Sequence, residues 1–363
     1  FKIKKNCKLI LMEELNIFLL GCWNKNSCKE VAFVDNRQSV LNNIYEDEKS
    51  YDFSIMLGDN IYPLKKIQTK KRRGNKKKTK KYFRNDEQNY RNFLELTDIK
   101  TNLSSFDIKL HVILGNHDVF NRCVKRNQIK EFTTSISNIY QDNTLFQTEL
   151  ANFVFLNSNN ISNVIEYLDE FDRSVLDEKW LILCAHEPLI SYKPKKKRLF
   201  QKLKDLRLLF DIIKNLKHNK IAYFCADTHN FQVLELLEPE YKSNFSNSNL
   251  FSLPIIVAGT GGANPDSLRG IEENLEHYED KDNLHVSIID YKECYGYLDL
   301  NITKDELEIK YKRCDTENKV NIKYHTRKNM LSFRNSKKER RCNKSKITKC
   351  LSNYSMEKEI TCD

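Results

Sequence analysis

Leu110 to Asp118 reads LHVILGNHD, a short apolar run that stops abruptly in a turn carrying Asn116, His117 and Asp118. Apolar and β-branched residues bounded by Gly115 predict a buried strand. A glycine at the turn lets the chain reverse tightly, so the amide and imidazole that follow stand at the strand's C-terminal edge, where open α/β sheets place ligand sites. An isolated Asn-His-Asp triplet is an ordinary polar turn.

Four other apolar runs end in the same manner. Phe53 to Leu57 (FSIML) leads into Gly58-Asp59-Asn60-Ile61-Tyr62, and Trp180 to Cys184 (WLILC) into Ala185-His186-Glu187-Pro188. Ile221 to Cys225 (IAYFC) leads into Ala226-Asp227-Thr228-His229-Asn230, and Ile17 to Leu20 (IFLL) into Gly21-Cys22-Trp23-Asn24. Each run delivers a possible metal ligand at its end, whereas independent turns would favour Ser, Asn, Gly or Pro without this order of carboxylate, amide and imidazole.

This ordered set resembles the calcineurin-like metallophosphoesterase superfamily, whose motifs run Asp-x-His, Gly-Asp, Gly-Asn-His-Asp/Glu, His and Gly-His-x-His. Gly58-Asp59 and Gly115-Asn116-His117-Asp118 match the second and third unchanged; His186 fits the fourth and His229 the end of the fifth. The likeness spans about Ile17 to Gly262, and Gly21-Cys22-Trp23 with Gly58-Asp59-Asn60-Ile61-Tyr62 is most similar to the purple acid phosphatase branch. Two positions depart from the pattern. Cys22 stands where the family has its first Asp, and Asp227 where it has the first His of Gly-His-x-His. Lariat-debranching members of the superfamily also carry a Cys at the first place, but retain a His two residues later, where this chain has Asn24.

The resemblance implies a four-layer α/β/β/α sandwich of two mixed sheets flanked by helices, and hydrolysis of a phosphate ester by a water bridging two divalent cations. It assigns Cys22, Asp59 and His229, with Tyr62 as a further candidate, to one cation, and Asp59, Asn116, His186 and Asp227 to the other. His117 becomes the acid for the leaving oxygen, with Asp118 as its orienting partner. Thiolate favours zinc or iron, whereas the oxygen donors suit manganese as well. Each residue also has a plainer reading: Cys22 as a small buried hydrophobe, Tyr62 as packing, His186 and Asp227 as turn residues.

The charge is uneven. Lys65 to Arg84 holds 12 basic and no acidic residues, and Thr326 to Asp363 holds 11 basic against 4 acidic. Removing those contributions of +12 and +7 from the total of +11 leaves the rest of the chain at −8. The body is therefore expected to be acidic, residues 12–331 forming the phosphoesterase domain with a basic insertion at 65–84, and 332–363 a basic, unstructured tail. Such blocks are usually solvated, but they also offer a surface for nucleic acid. A nuclease or nucleotide phosphodiesterase aided by the insertion is thus one alternative function. A metal-binding scaffold without turnover, motivated by Cys22 and Asp227, is another.

The 11 cysteines are scattered, several within strand-like runs, which fits a reduced, intracellular and cytoplasmic setting better than a disulfide framework. Phe1 to Leu11 precede the first methionine, Met12, and hold no apolar stretch suited to a secretion signal. No run reaches the ~18 apolar residues of a membrane span. Among the connecting segments, Tyr90 to Ile99 and Leu199 to Leu216 have helical spacing, and Leu145 to Leu156 predicts a hairpin. His285 to Tyr291, Tyr295 to Asn301 and Glu306 to Tyr311 predict strands completing a second sheet. Gly259 to Gly262 is a glycine-rich turn after a strand, without the lysine of a P-loop.

Overall fold

The computed structural model describes residues 12–23, 31–47, 49–60, 65–67, 80–82, 109–119, 137–176, 178–193, 198–200, 206–237, 251–269, 285–314, 319–325 and 330–335. The strands are β1 (Glu14–Leu20), β2 (Phe53–Met56), β3 (Lys65–Ile67), β4 (Lys80–Tyr82), β5 (Lys109–Ile113), β6 (Ser137–Tyr140), β7 (Thr144–Gln147), β8 (Ala151–Leu156), β9 (Trp180–Ala185) and β10 (Ser191–Lys193). They continue as β11 (Arg198–Phe200), β12 (Ile221–Cys225), β13 (Phe231–Leu237), β14 (Ser252–Ala258), β15 (His285–Lys292), β16 (Gly296–Thr303), β17 (Glu306–Arg313), β18 (Lys319–His325) and β19 (Met330–Asn335). The helices are α1 (Val31–Glu46), α2 (Asn116–Val119), α3 (Ile161–Asp169) and α4 (Leu206–Asn215).

Two large sheets result. The first has the order β19-β18-β17-β16-β1-β2-β5-β6, and the second β15-β13-β14-β12-β9-β8-β7. In the first, β1, β2, β5 and β6 run parallel, and β16 joins β1 antiparallel. In the second, β8, β9, β12 and β14 are parallel, with β7 and β13 antiparallel to their neighbours. Both sheets are mixed, and their parallel centres are covered on both faces, which is why those strands read as continuous apolar runs.

The period of two along a strand sorts side chains between two cores. Phe153, Phe155, Trp180, Ile182 and Cys184 join the core shared by the two sheets, while their neighbours Val154, Leu156, Leu181, Leu183 and Ala185 face the core beneath α3 and α4. Aromatic pairs cross the shared core: Phe53 of β2 meets Phe153 of β8 with centroids 5.3 Å apart, and Phe231 of β13 stacks on Tyr311 of β17 at 4.2 Å. At one end Trp180 Nε1 donates to Thr303 O at 2.9 Å, tying β9 to β16.

α4 presents Leu206, Leu209, Phe210, Ile212 and Ile213 to the second sheet, and Lys217 in the left-handed region (φ 54°) follows its end. Asn160 caps α3 by accepting from Asn163 N. On the outer face of the first sheet α1 buries Val40, Leu41 and Ile44 against it. The layers are thus α, β, β, α. Among the described residues no helix is long and apolar enough to cross a membrane.

Several details differ from the sequence reading. The three late strands do not share one sheet: β15 pairs with β13 in the second, whereas β16 and β17 extend the first beside β1. Leu199 lies in β11, and the described helix is Leu206–Asn215. β19 runs across the expected boundary at 332 and ends at Asn335. Lys65–Ile67 and Lys80–Tyr82 pair antiparallel within the basic insertion. The helix expected at Tyr90 to Ile99 lies outside the described residues, as do most of the insertion and residues 336–363. The hairpin of Leu145 to Leu156 is present as β7 and β8.

Candidate metal centre

The C-terminal ends of β1, β2 and β5 meet those of β9 and β12, so five turns from two sheets converge. Backbone bonds knit them together: Cys22 N donates to Gly58 O at 3.1 Å, and Ala226 N to His186 O at 2.9 Å. Gly115 packs so closely on the second turn that any Cβ there would strike Asp59 N, and a Cβ on Gly58 (φ 87°) would fall 2.6 Å from His186 Nδ1. Both glycines are needed for close approach. Three side chains at the turn tips adopt left-handed backbone unusual for residues other than glycine: Cys22 (φ 52°), Asp59 (φ 55°) and Asp227 (φ 52°).

The side chains these turns deliver lie together. One ligand atom each from Cys22, Asp59 and His229 falls within 4.8 Å of the others. Around the same carboxylate, His186 Nε2 stands 3.3 Å from Asp59 Oδ1 and 3.9 Å from Asp227 Oδ1, and Asn116 Nδ2 donates to Asp227 Oδ1 at 2.9 Å. Asp59 is therefore common to both groups. His117 N donates to Asp59 Oδ1 at 3.0 Å, while its ring Nε2 lies 4.0 Å from Asp59 Oδ2 with the side chain 39% exposed, on the open side of the cluster.

His186 shows what the cluster is suited to hold. Its Nδ1 is 2.8 Å from Leu57 O, and a carbonyl only accepts, so Nδ1 carries the proton. Nε2 is fully buried and makes no hydrogen bond, yet it faces carboxylate oxygens of Asp59 and Asp227. A buried polar nitrogen that makes no hydrogen bond is destabilising by about 1–3 kcal/mol. A cation between these groups would remove that penalty, and an imidazole whose other nitrogen donates to a backbone carbonyl is the usual metal-binding arrangement. The orphaned nitrogen, the tight glycine cradle and a donor set of thiol, carboxylates, imidazoles and amide all fit divalent metal.

Bracing residues complete the site. Asp118 Oδ2 accepts from Gly115 N at 2.7 Å and from Asn60 N and Nδ2 at 3.2 and 3.1 Å, pinning the second and third turns together. Asn60 Oδ1 in turn accepts from Trp23 Nε1 at 3.1 Å, and its Nδ2 also donates to Ile113 O at 2.9 Å. Asp266 grips the fifth turn: its Oδ2 accepts from His229 N at 3.2 Å, and its own N donates to His229 O at 2.7 Å. Asn159 Nδ2 donates to Leu114 O at 2.9 Å beneath the third turn.

Of the residues singled out in the sequence, Cys22, Asp59, Asn116, His117, Asp118, His186, Asp227 and His229 stand in or against this one cluster; Tyr62 lies outside the described residues. Asn60, Asp266 and Asn159 were not foreseen. Asn60 directly follows Gly58-Asp59, a place that could have drawn notice, whereas Asp266 and Asn159 carry no spacing signal.

No family model matches the sequence, and no curated protein matches it. Among solved structures the chain is similar to PhoD, at 12% identity and a TM-score of 0.57 over 92% of this chain and 73% of that one. It is also similar to GAP50, titled the anchor in the inner membrane complex of Plasmodium, at 12% identity and a TM-score of 0.48 over 94% and 95%. A conserved Streptococcus pneumoniae protein described as a predicted phosphoesterase aligns at 7% identity and a TM-score of 0.32 over 84% and 93%. The likeness to PhoD is near enough to argue from, and what it shows is the fold: two mixed sheets face to face between helices.

Proposed function

We propose that this chain is a metal-dependent phosphoesterase that holds one divalent cation with Cys22, Asp59 and His229 and a second with Asp59, Asn116, His186 and Asp227. The observation carrying the proposal is the buried Nε2 of His186, which makes no hydrogen bond and is aimed at Asp59 and Asp227 beside a thiol–carboxylate–imidazole trio. Such cations, when bound, would acidify a water and offset charge on the phosphoryl oxygens. Asp59, the only group common to both sets, orients them toward each other and is itself aimed by the His117 N–H. Asn116 supplies an amide oxygen once its side chain turns from the bond it makes to Asp227. The His117 ring, partly exposed over the cluster, is placed to protonate the leaving oxygen of a bound ester. Asp118 acts through the turn beneath His117, which it fixes by its bonds to Gly115 and Asn60.

The test is hydrolysis of p-nitrophenyl phosphate and its bis-ester by metal-loaded protein, with Asp59→Asn as the control. Turnover lost with Asp59→Asn, and with chelator, supports the proposal. Protein that holds metal yet cleaves neither ester overturns it in favour of a scaffold. The proposal extends to a polyanionic substrate, because the 12 basic residues of 65–84 follow the Gly58-Asp59 turn in the chain.

A further inference from the structure

Gln232 sits on the face of β13 turned away from the first sheet. Its neighbours Phe231 and Val233 join the core that the two sheets share, so the period of two puts Gln232 on the side of Leu234 and Leu236. It is completely buried, as are Asn230, Thr228 and Ser191. The orientation of its amide is fixed by backbone groups. Oε1 accepts from Tyr192 N at 2.9 Å, so the other atom is nitrogen, and Nε2 donates to Tyr192 O at 3.0 Å. The second Nε2 proton goes to Asn230 Oδ1 at 2.7 Å, which leaves Asn230 Nδ2 to donate to Asp266 O at 3.2 Å. Asp266 then holds the His229 backbone twice, donating through its own N to His229 O at 2.7 Å and accepting from His229 N through Oδ2 at 3.2 Å. Each bond fixes the direction of the next. The chain begins on β10, which follows the His186 turn, and ends on His229; beside it the hydroxyls of Ser191 and Thr228 lie 2.8 Å apart. A leucine at 232 would suit the apolar surroundings without requiring these bonds, since a buried amide is tolerated only when it is hydrogen-bonded.

We propose that Gln232 is a positioning residue for the metal centre. Through Asn230 and Asp266 it sets the place of His229, and through Tyr192 it ties that place to the segment after His186, so that the two imidazoles keep a fixed spacing. The inference rests on the metal-dependent reading above and adds to it residues that touch neither cation nor ester. Loss of the chain should fall mainly on the Cys22–Asp59–His229 pocket, to which His229 belongs.

Gln232→Met keeps an unbranched side chain of similar length and removes its bonds, and Asn230→Ala removes the next link. In calorimetric titration of metal-free, full-length protein, either variant should bind zinc about tenfold more weakly than the parent. The double variant should be no weaker than either single one, because both cut the same chain. The visible bands of bound cobalt(II), which report the arrangement of donors around the ion, should shift in all three. Trp180→Phe, which removes the bond to Thr303 O at the end of β9 opposite His186, controls for plain loss of stability. It should lower the melting temperature and leave zinc affinity and the cobalt bands as in the parent. Zinc affinity and cobalt bands unchanged in both single variants, losses that add in the double variant, or an equal loss in Trp180→Phe would each overturn the positioning role and leave the phosphoesterase reading standing. A parent that binds neither zinc nor cobalt would sink both.

Discussion

At the scale of single residues, the site is made from side chains that fold at a disadvantage. Cys22, Asp59 and Asp227 occupy left-handed backbone, and His186 keeps an unsatisfied nitrogen beside carboxylates. Sites of this kind are less stable empty than filled. Asp59→Asn, which suits φ 55° and removes a buried charge, should therefore leave the melting temperature of metal-free protein unchanged or raised. The same variant should lose the gain of about 2.7 kcal/mol expected for a parent bathed in metal at a hundred times its dissociation constant. Thermal melts with and without chelator check both halves. A second residue acts on stability through pH. His111 is enclosed by Phe53, Phe146, Phe155 and Tyr140, and burial, aided by Lys109, brings its pKa down to about 3 from 6.5. The unfolded chain then binds one more proton between those values. Stability is full above pH 6.5 and falls as pH drops toward 3, by up to about 1.4 kcal/mol per pH unit. His111→Phe should flatten that limb in denaturant titrations run from pH 7 to 4, and an unchanged slope would assign the acid sensitivity elsewhere.

At the scale of elements, each candidate ligand owes its place to a strand end held by a neighbouring turn. The Asp266 carboxylate accepts from His229 N, a bond that alanine cannot make, so Asp266→Ala should weaken metal binding by about tenfold, the usual effect of removing a group that orients a ligand. Asp266→Asn, which still accepts from His229 N, should retain most of it. Calorimetric titration with zinc separates this from a general loss of fold, which would lower both alike. Much of this layer was legible in the sequence, because a buried parallel strand is an apolar run and its end is marked by the glycine or charged residue that stops it. Five such ends identified the cluster. α1 was not legible: polar residues such as Arg37, Asn42 and Asn43 interrupt its sequence, and among the described side chains Val40, Leu41 and Ile44 mark the side that packs. The sheet membership of β15, β16 and β17 was equally hidden. Their patterns differ little, and the choice is made by partners far away in sequence, β13 for one and β1 for another. Asp266 was hidden for a related reason, since a lone carboxylate says nothing about the backbone it will meet.

At the scale of the whole molecule, charge and architecture divide. The net positive charge sits in 65–84 and 326–363, leaving −8 on the rest. Deleting 65–84 should weaken binding to oligonucleotide and reduce the slope of log affinity against log salt, while hydrolysis of p-nitrophenyl phosphate persists. Equal retention of the deleted and parent chains on heparin would remove nucleic acid from the proposed partners. The architecture has one further result. Cys22 and Asp59 come from the first sheet, and His186, Asp227 and His229 from the second, so the cluster lies across the seam where the sheets meet. A cation there is a rivet: sliding one half of the sandwich past the other would pull its donors apart. Hydrogen exchange should register this as slower amide opening along the seam with metal bound, at Leu57 and Ala226 before the interior of either ladder, so that occupancy of the centre is readable as mechanical coupling between two halves.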